Sequence, residues 1–125
     1  FLGVAREDNQ TDAHYLVEKI INLRIFADEE NQFNYSALDV GAEFLVVSQF
    51  TLYADTRKGR RPDFNRAAPP QQAEPLYNDI VHLLRDTGLC VATGRFQEHM
   101  QVHLQNDGPV TLLVDSVDRN RPRRS

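Results

Sequence analysis

The apolar positions change period several times along the chain, and each change marks an element. Residues 1–4, Phe1-Leu2-Gly3-Val4, read as the end of a strand, and residues 6–10 as a polar loop. Asp12 can cap a helix that follows, because Leu16, Val17, Ile20, Ile21 and Leu23 recur at helical spacing as far as Arg24. Residues 28–32 have turn composition between apolar residues 23–26 and 33–38, which predicts a hairpin before Gly41 punctuates the chain. Residues 43–53 predict a long strand. It is apolar on both faces through Phe44-Leu45-Val46-Val47 and alternates afterwards, the pattern of a central strand.

Residues 55–70 carry Gly59, three prolines and much of the positive charge, so they predict a surface loop. A second helix is expected over residues 71–86, with Ala73, Leu76, Ile80, Val81 and Leu84 on one stripe and Gly88 as its stop. Three more strands are expected at residues 90–93, 100–104 and 110–114, the last two joined by residues 105–109. No internal repeat is apparent. The order β, α, β, β, α, β, β, β predicts a single mixed α/β domain: a mostly antiparallel, barrel-like sheet with two helices.

At 125 residues the chain has room for one domain. No apolar run approaches the roughly 18 residues that span a bilayer, so no membrane partner is expected. The single cysteine, Cys90, excludes an intramolecular disulfide, and nothing resembles a secretory leader; a cytoplasmic location is expected. The opening Phe1-Leu2-Gly3-Val4 reads as a strand cut off from its own beginning, so an upstream segment is expected. The formal net charge of −4 argues against a nucleic-acid partner only as an average. Arg57, Lys58, Arg60, Arg61 and Arg66 fall close together, and Arg119, Arg121, Arg123 and Arg124 crowd the end of an otherwise acidic chain. Such a local patch suits a polyanion bound at one place, or it merely solubilises a loop; for the tail over residues 117–125 the solvated reading is the stronger.

Two segments place polar or achiral residues where core strands prefer apolar ones. In Ser48-Gln49-Phe50-Thr51 an apolar run suddenly presents two hydroxyls and an amide, groups costly to bury without partners. Alone, the motif is weak, and satisfied ladder neighbours explain it better than a site does. In Asn106-Asp107-Gly108-Pro109-Val110-Thr111 the Gly-Pro bond can be a plain turn or cis, and for the isolated motif the plain turn is the stronger reading. His99 and His103, four apart in an expected strand, lie about 13 Å from each other on one face and do not make a zinc pair. One cysteine and no His-x-Glu leave no deaminase-type site, so no metal or cofactor is implied. Tyr53, Asp55, Asp107 and Asp115 could supply acid and base, but no histidine is near them in sequence and there is no nucleophile elbow or phosphate loop.

Read together, residues 48–62, beginning Ser48-Gln49-Phe50-Thr51 and including Arg57-Lys58-Gly59-Arg60-Arg61-Pro62, and residues 106–111 resemble the D-aminoacyl-tRNA deacylases of the bacterial and eukaryotic type. The resemblance runs in order over residues 1–116, through Lys19-Ile20-Ile21-Asn22-Leu23-Arg24-Ile25-Phe26, Thr93-Gly94-Arg95-Phe96 and Leu112-Leu113-Val114-Asp115-Ser116. It implies a deacylase domain over residues 1–116 that lacks the family's opening hairpin, followed by a basic tail over residues 117–125. Gln97-Glu98-His99 stands where a small Gly-Ala pair is usual before Met100.

The activity implied is hydrolysis of the ester joining a D-amino acid to the 3′ end of tRNA. Such an ester is already activated, so positioning and oxyanion stabilisation matter more than a strong nucleophile, which accounts for the missing triad. The resemblance assigns Gln49, Phe50 and Thr51 to the catalytic site, with main-chain N–H groups around Phe50 and Thr51 as oxyanion donors. It makes Ser48, Phe96, Met100, Gly108, Pro109 and Thr111 substrate-binding residues, and Arg57, Lys58, Arg60 and Arg61 contacts to tRNA. The ribose 2′-hydroxyl would assist water and leave Thr51 a binder, with Thr51 as nucleophile the rival account. Chiral rejection must be active, and the resemblance implies that a cis Gly108-Pro109 reaches into the partner subunit's site and excludes L side chains. A homodimer follows, and glycyl-tRNA, with no side chain to reject, would pass the same gate. The reading from another class is a non-catalytic nucleic-acid-binding protein with the same fold and basic loop.

Overall fold

The computed structural model describes residues 1–124. The first helix, α1, spans Gln10–Asn22. Its cap is Asn9 rather than Asp12: the Asn9 side chain accepts from the main chain of the first turn while the Asp12 carboxylate reaches back to the Asn9 N–H at 2.9 Å, a reciprocal capping box. Asp12 therefore sits one turn inside the helix. The predicted hairpin is present as β1 (Phe26–Ala27) and β2 (Phe33–Tyr35), antiparallel, with Asp28 Oδ1 accepting from the N–H groups of Glu30 and Gln32 across the turn. It stops short of Leu38. Ser36 caps a one-turn helix, α2 (Ala37–Val40), and Gly41 closes it in the left-handed region at φ 64°.

The long strand predicted over residues 43–53 is shorter. β3 covers Glu43–Val46; the chain holds a bridge at Ser48 and then tightens into a 3-10 turn over Phe50–Tyr53. The second long helix, α3, runs over Pro70–Asp86, with proline at its start where no donor is needed, and Gly88 follows at φ 88°. β4 (Cys90–Thr93) pairs with β3 in parallel, Phe44 opposite Val91 and Val46 opposite Thr93. On the other side of β3, Leu2 N–H donates to the Val47 carbonyl at 2.9 Å and its carbonyl accepts from Gln49 N–H at 2.8 Å, again in parallel.

Several expectations therefore fail. The sheet around the site is parallel, because α3 is a crossover that returns the chain to start β4 beside the start of β3. There is no barrel: the described strands form two two-stranded sheets, and three α-helices rather than two accompany them. Residues 100–104 and 110–114 pair with no strand among the described residues, since an alternating pattern makes a strand only where a neighbour offers its backbone. Val102, Leu104, Leu112 and Leu113 stand exposed along them. The chain then turns back, and Ser116–Asn120 forms a 3-10 turn against α1, so that part of the expected tail belongs to the fold.

The core lies between α1, α3 and the sheet. Val17 and Ile21 of α1 meet Ile80, Val81 and Leu84 of α3, with Leu2 and Val91 closing the layer. Leu84 is only 1% exposed, a burial that contributes about 2 kcal/mol. Among the described residues no helix is long and apolar enough to cross a membrane.

Candidate active site

The site begins where β3 ends. Bridging to Leu2 holds Ser48 and Gln49 at the sheet edge, and the 3-10 turn then takes Phe50 and Thr51 out of the ladder. Leu52 N–H returns to the Gln49 carbonyl at 3.2 Å and Ala54 N–H to the Thr51 carbonyl at 3.1 Å. The N–H groups of Phe50 and Thr51 make no hydrogen bond among the described residues. Gln49 Nε2 donates to Thr51 Oγ1, and among the described residues no carboxylate or imidazole bonds that hydroxyl. Gly3 underlies the turn. A methyl group there would meet Leu52 Cβ and the Tyr53 ring at 3.2 Å, tighter than an ordinary contact. Gly3→Ala is therefore expected to cost about 1–3 kcal/mol of stability, as overpacking does, readable as a lowered denaturation midpoint.

Ser48, Gln49 and Phe50 form one wall of a cavity of about 710 Å³, floored by Val4, Ala68 and Ala73. Phe50 is 56% exposed and meets Phe64 edge-on, ring centres 5.0 Å apart. The opposite wall is residues 96–100 with Val102. Phe96 is fixed by the Tyr77 ring at 5.8 Å, and the Tyr77 hydroxyl donates to the Val46 carbonyl at 2.8 Å, tying that wall to β3. Burial pushes the Tyr77 phenol up, so it remains a donor. Met100 folds onto Gly94, where a Cβ would lie 2.7 Å from its sulfur, and Arg95 N–H donates to that sulfur at 3.3 Å. Gln97 turns the rim at φ 65°, so the Gln97-Glu98-His99 segment enters the wall rather than standing apart from it.

Ser48, Gln49, Phe50, Phe96 and Met100 thus share one cavity, with Thr51 attached through Gln49. Gly108, Pro109 and Thr111 do not line it. They occupy the unpaired arm of residues 101–115, where the Gly108-Pro109 bond is cis. Asn106 spans the bend from both sides: its Oδ1 accepts from Val110 N–H at 2.9 Å and its Nδ2 donates to Thr111 Oγ1 at 2.9 Å. Thr111 therefore braces the bend.

The basic loop is a closed excursion, because Asp55 and Asp63 exchange main-chain hydrogen bonds at 2.7 and 2.9 Å. Arg57 turns back onto Asp55, Nη2 to Oδ2 at 2.7 Å, and this contact brings the Asp55 carboxyl down to about 2. Lys58, Arg60 and Arg61 are exposed and form no ion pair among the described residues. Arg66 lies over the Tyr53 ring at 5.3 Å; burial, then Asp8 and Asp115, push that phenol up to about 12. Sequence reasoning passed over Val4, Phe64 and Ala68, whose only signal was proximity to the motifs, and over Asn106, which lay inside one.

The profile of the D-Tyr-tRNA(Tyr) deacylase family matches residues 1–115. A D-aminoacyl-tRNA deacylase of Alkaliphilus metalliredigens is 58% identical over 116 residues, 93% of this chain and 78% of that protein. One of Symbiobacterium thermophilum is 60% identical over 115 residues, 92% of this chain and 76% of the relative. Among solved structures, the c-Myc DNA Unwinding Element Binding Protein superposes with a TM-score of 0.82 at 46% identity, covering 89% of this chain and 76% of its own. A probable eukaryotic D-amino acid tRNA deacylase superposes with a TM-score of 0.67 at 19% identity over 79% of this chain and 72% of its own, a likeness of fold. The class is that of hydrolases acting on D-aminoacyl-tRNA. The chain belongs to the D-aminoacyl-tRNA deacylase family.

Proposed function

We propose that the cavity beside Phe50 and Thr51 receives the aminoacyl ester of a tRNA charged with a D-amino acid or glycine, and that water cleaves it there. The observation that carries this reading is the pair of unbonded N–H groups on Phe50, which lines the cavity, and on the adjacent Thr51, donors suited to the oxyanion that forms as water attacks the ester carbonyl. Water adds to the carbonyl carbon, the ester C–O bond breaks, and the released ribose oxygen takes a proton, leaving free amino acid and tRNA. Thr51 acts as a binder. Its hydroxyl is held by the Gln49 amide, and among the described residues no base that a nucleophile requires bonds it.

Gly108 and Pro109 serve the partner subunit's cavity in a homodimer, since on their own subunit they lie away from it. A tRNA substrate implies the cytoplasm, where aminoacylation supplies it. The second reading, a nucleic-acid-binding protein without catalysis, draws on the likeness to the c-Myc DNA Unwinding Element Binding Protein and on the exposed Lys58, Arg60 and Arg61. Deacylation of matched D- and L-aminoacyl-tRNA separates the two: the D ester is cleaved and the L ester spared. Thr51→Ala lowers the D rate about 10- to 100-fold and leaves it measurable. A trapped acyl-enzyme on Thr51 would restore the nucleophile account, and no cleavage by the full-length protein would leave binding alone.

A further inference from the structure

β3 and β4 end side by side, Val46 opposite Thr93, and the two walls of the cavity start from those ends. The chain leaves β3 toward Ser48, Gln49 and Phe50, and it leaves β4 toward Phe96 and Met100. One side chain joins the two departures. Tyr77 of α3 donates its hydroxyl to the Val46 carbonyl at 2.8 Å, and its ring lies against Phe96 with centres 5.8 Å apart. The same carbonyl accepts from Gly94 N–H at 3.1 Å, so both of its lone pairs are engaged, one by the β4 side and one by α3. Tyr77 is 4% exposed and belongs to the core of Ile80, Val81 and Leu84, so these contacts lie inside the subunit and need no partner. From Val46 onward the backbone is fixed group by group toward the donors. The Val47 carbonyl and Gln49 N–H bond Leu2 at 2.9 and 2.8 Å, and the Gln49 carbonyl accepts from Leu52 N–H at 3.2 Å. Those bonds join main chain to main chain; the Tyr77 hydroxyl is the side chain that enters the series.

We infer that Tyr77 is a positioning residue for the hydrolysis: its hydroxyl and ring together fix the distance between the Phe50–Thr51 donors and the wall of Phe96 and Met100. What the two walls do rests on the function proposed above; what holds them does not. A buried tyrosine ordinarily fills a core, and phenylalanine would fill this one equally well. The hydroxyl adds something that filling does not, because it reaches the last carbonyl of β3, just before the segment that carries the donors. Oxyanion donors act chiefly in the transition state, and a misplacement of about 1 Å is worth up to a hundredfold in rate. Slackness at this joint therefore falls on kcat more than on KM.

The test uses the full-length protein and two readouts, D-aminoacyl-tRNA deacylation and hydrogen exchange of the Gln49 and Gly94 amides, which flank the joint. Tyr77→Phe removes the hydroxyl and keeps the ring, and the Val46 carbonyl keeps its bond from Gly94, so the fold should hold; a melting curve checks it. In this variant kcat is expected to fall about tenfold with KM within about twofold of the parent protein, and exchange at both amides to speed at least threefold. Tyr77→Leu, which also removes the ring, should be slower still and less stable. Should Tyr77→Phe unfold, Phe96→Leu probes the other half of the joint. With the hydroxyl bond in place, exchange should then speed at Gly94 and not at Gln49; equal changes at both amides, or none, overturn the proposal. A Tyr77→Phe protein that matches the parent while Tyr77→Leu is impaired overturns it too, and makes Tyr77 a core filler. So does a loss carried by KM, a loss of kcat without faster exchange, or faster exchange with undiminished kcat. A parent protein that hydrolyses no ester would overturn the function above, while amide exchange would still decide whether Tyr77 holds the two walls.

Discussion

Replacing Gly108 with alanine is expected to lower D-aminoacyl-tRNA cleavage by at least about a hundredfold while changing stability by no more than about 0.5 kcal/mol. Gly108 stands at φ 148°, in the region that glycine alone adopts freely, and an added Cβ would lie 2.8 Å from Val110 Cγ2 and 3.0 Å from the Val110 nitrogen. The side-chain atom could swing away; the main-chain nitrogen could not move without breaking its 2.9 Å bond to Asn106. The bend must therefore shift. The fold would hardly register the change, because Gly108 is exposed on an arm that adds no buried residue between Met100 and Ser116. A steady-state assay with matched D- and L-aminoacyl-tRNA, alongside a melting curve, reads both quantities. Full D activity in a folded Gly108→Ala protein would remove this bend from the site, and a large loss of stability would make it structural.

The two long helices were legible because their apolar stripes repeat over several turns. The Leu16–Ile21 stripe meets the Ile80–Leu84 stripe as their spacing implies. The parallel pairing of β3 and β4 was legible in principle, since a strand, a long helix and another strand in sequence make a crossover unit; the expected strands beyond β4 drew the reading toward an antiparallel barrel instead. Val102 and Leu104 alternate as a strand should, yet alternation carries no information about whether an edge is available. The turn at Phe50–Tyr53 left no periodic signal. Its trace was chemical, a Ser-Gln after four apolar residues, and that abrupt change fell where the site was built.

The arginine content of the tail suggested solvent, and composition cannot tell a solvated arginine from one that folds back more than a hundred residues to Asp12. The cavity wall formed by residues 96–100 was found in part, through Phe96 and Met100. The intervening Gln97 adopts a positive φ that its residue type gives no reason to expect. The functional motifs were thus more legible than the architecture that holds them, because each motif is local whereas the cavity joins the start of the chain, the end of β3 and the segment after β4.

Neutralising Lys58, Arg60 and Arg61 together should weaken tRNA binding on the order of 10- to 100-fold near 0.15 M salt and reduce the slope of log affinity against log salt by about 2. Each lost phosphate contact changes the slope by roughly 0.7 to 0.9, so three contacts account for a change of about 2 or somewhat more. Arg57 should behave differently. Its guanidinium is already committed to Asp55 at 2.7 Å, so Arg57→Gln removes a charge that is largely balanced and should move the slope by well under 1. Asp55→Asn should do the reverse and tighten binding, because it releases Arg57 without adding a cation. The fold should tolerate all of these, since the loop is exposed and is closed by main-chain bonds between Asp55 and Asp63 that the substitutions leave in place. Filter binding of uncharged tRNA across a salt series gives the slopes directly. Identical slopes in the triple variant and the parent would make this loop a solubilising feature, and an Arg57→Gln effect as large as that of Arg60→Gln would mean that the Asp55 pair opens when RNA arrives.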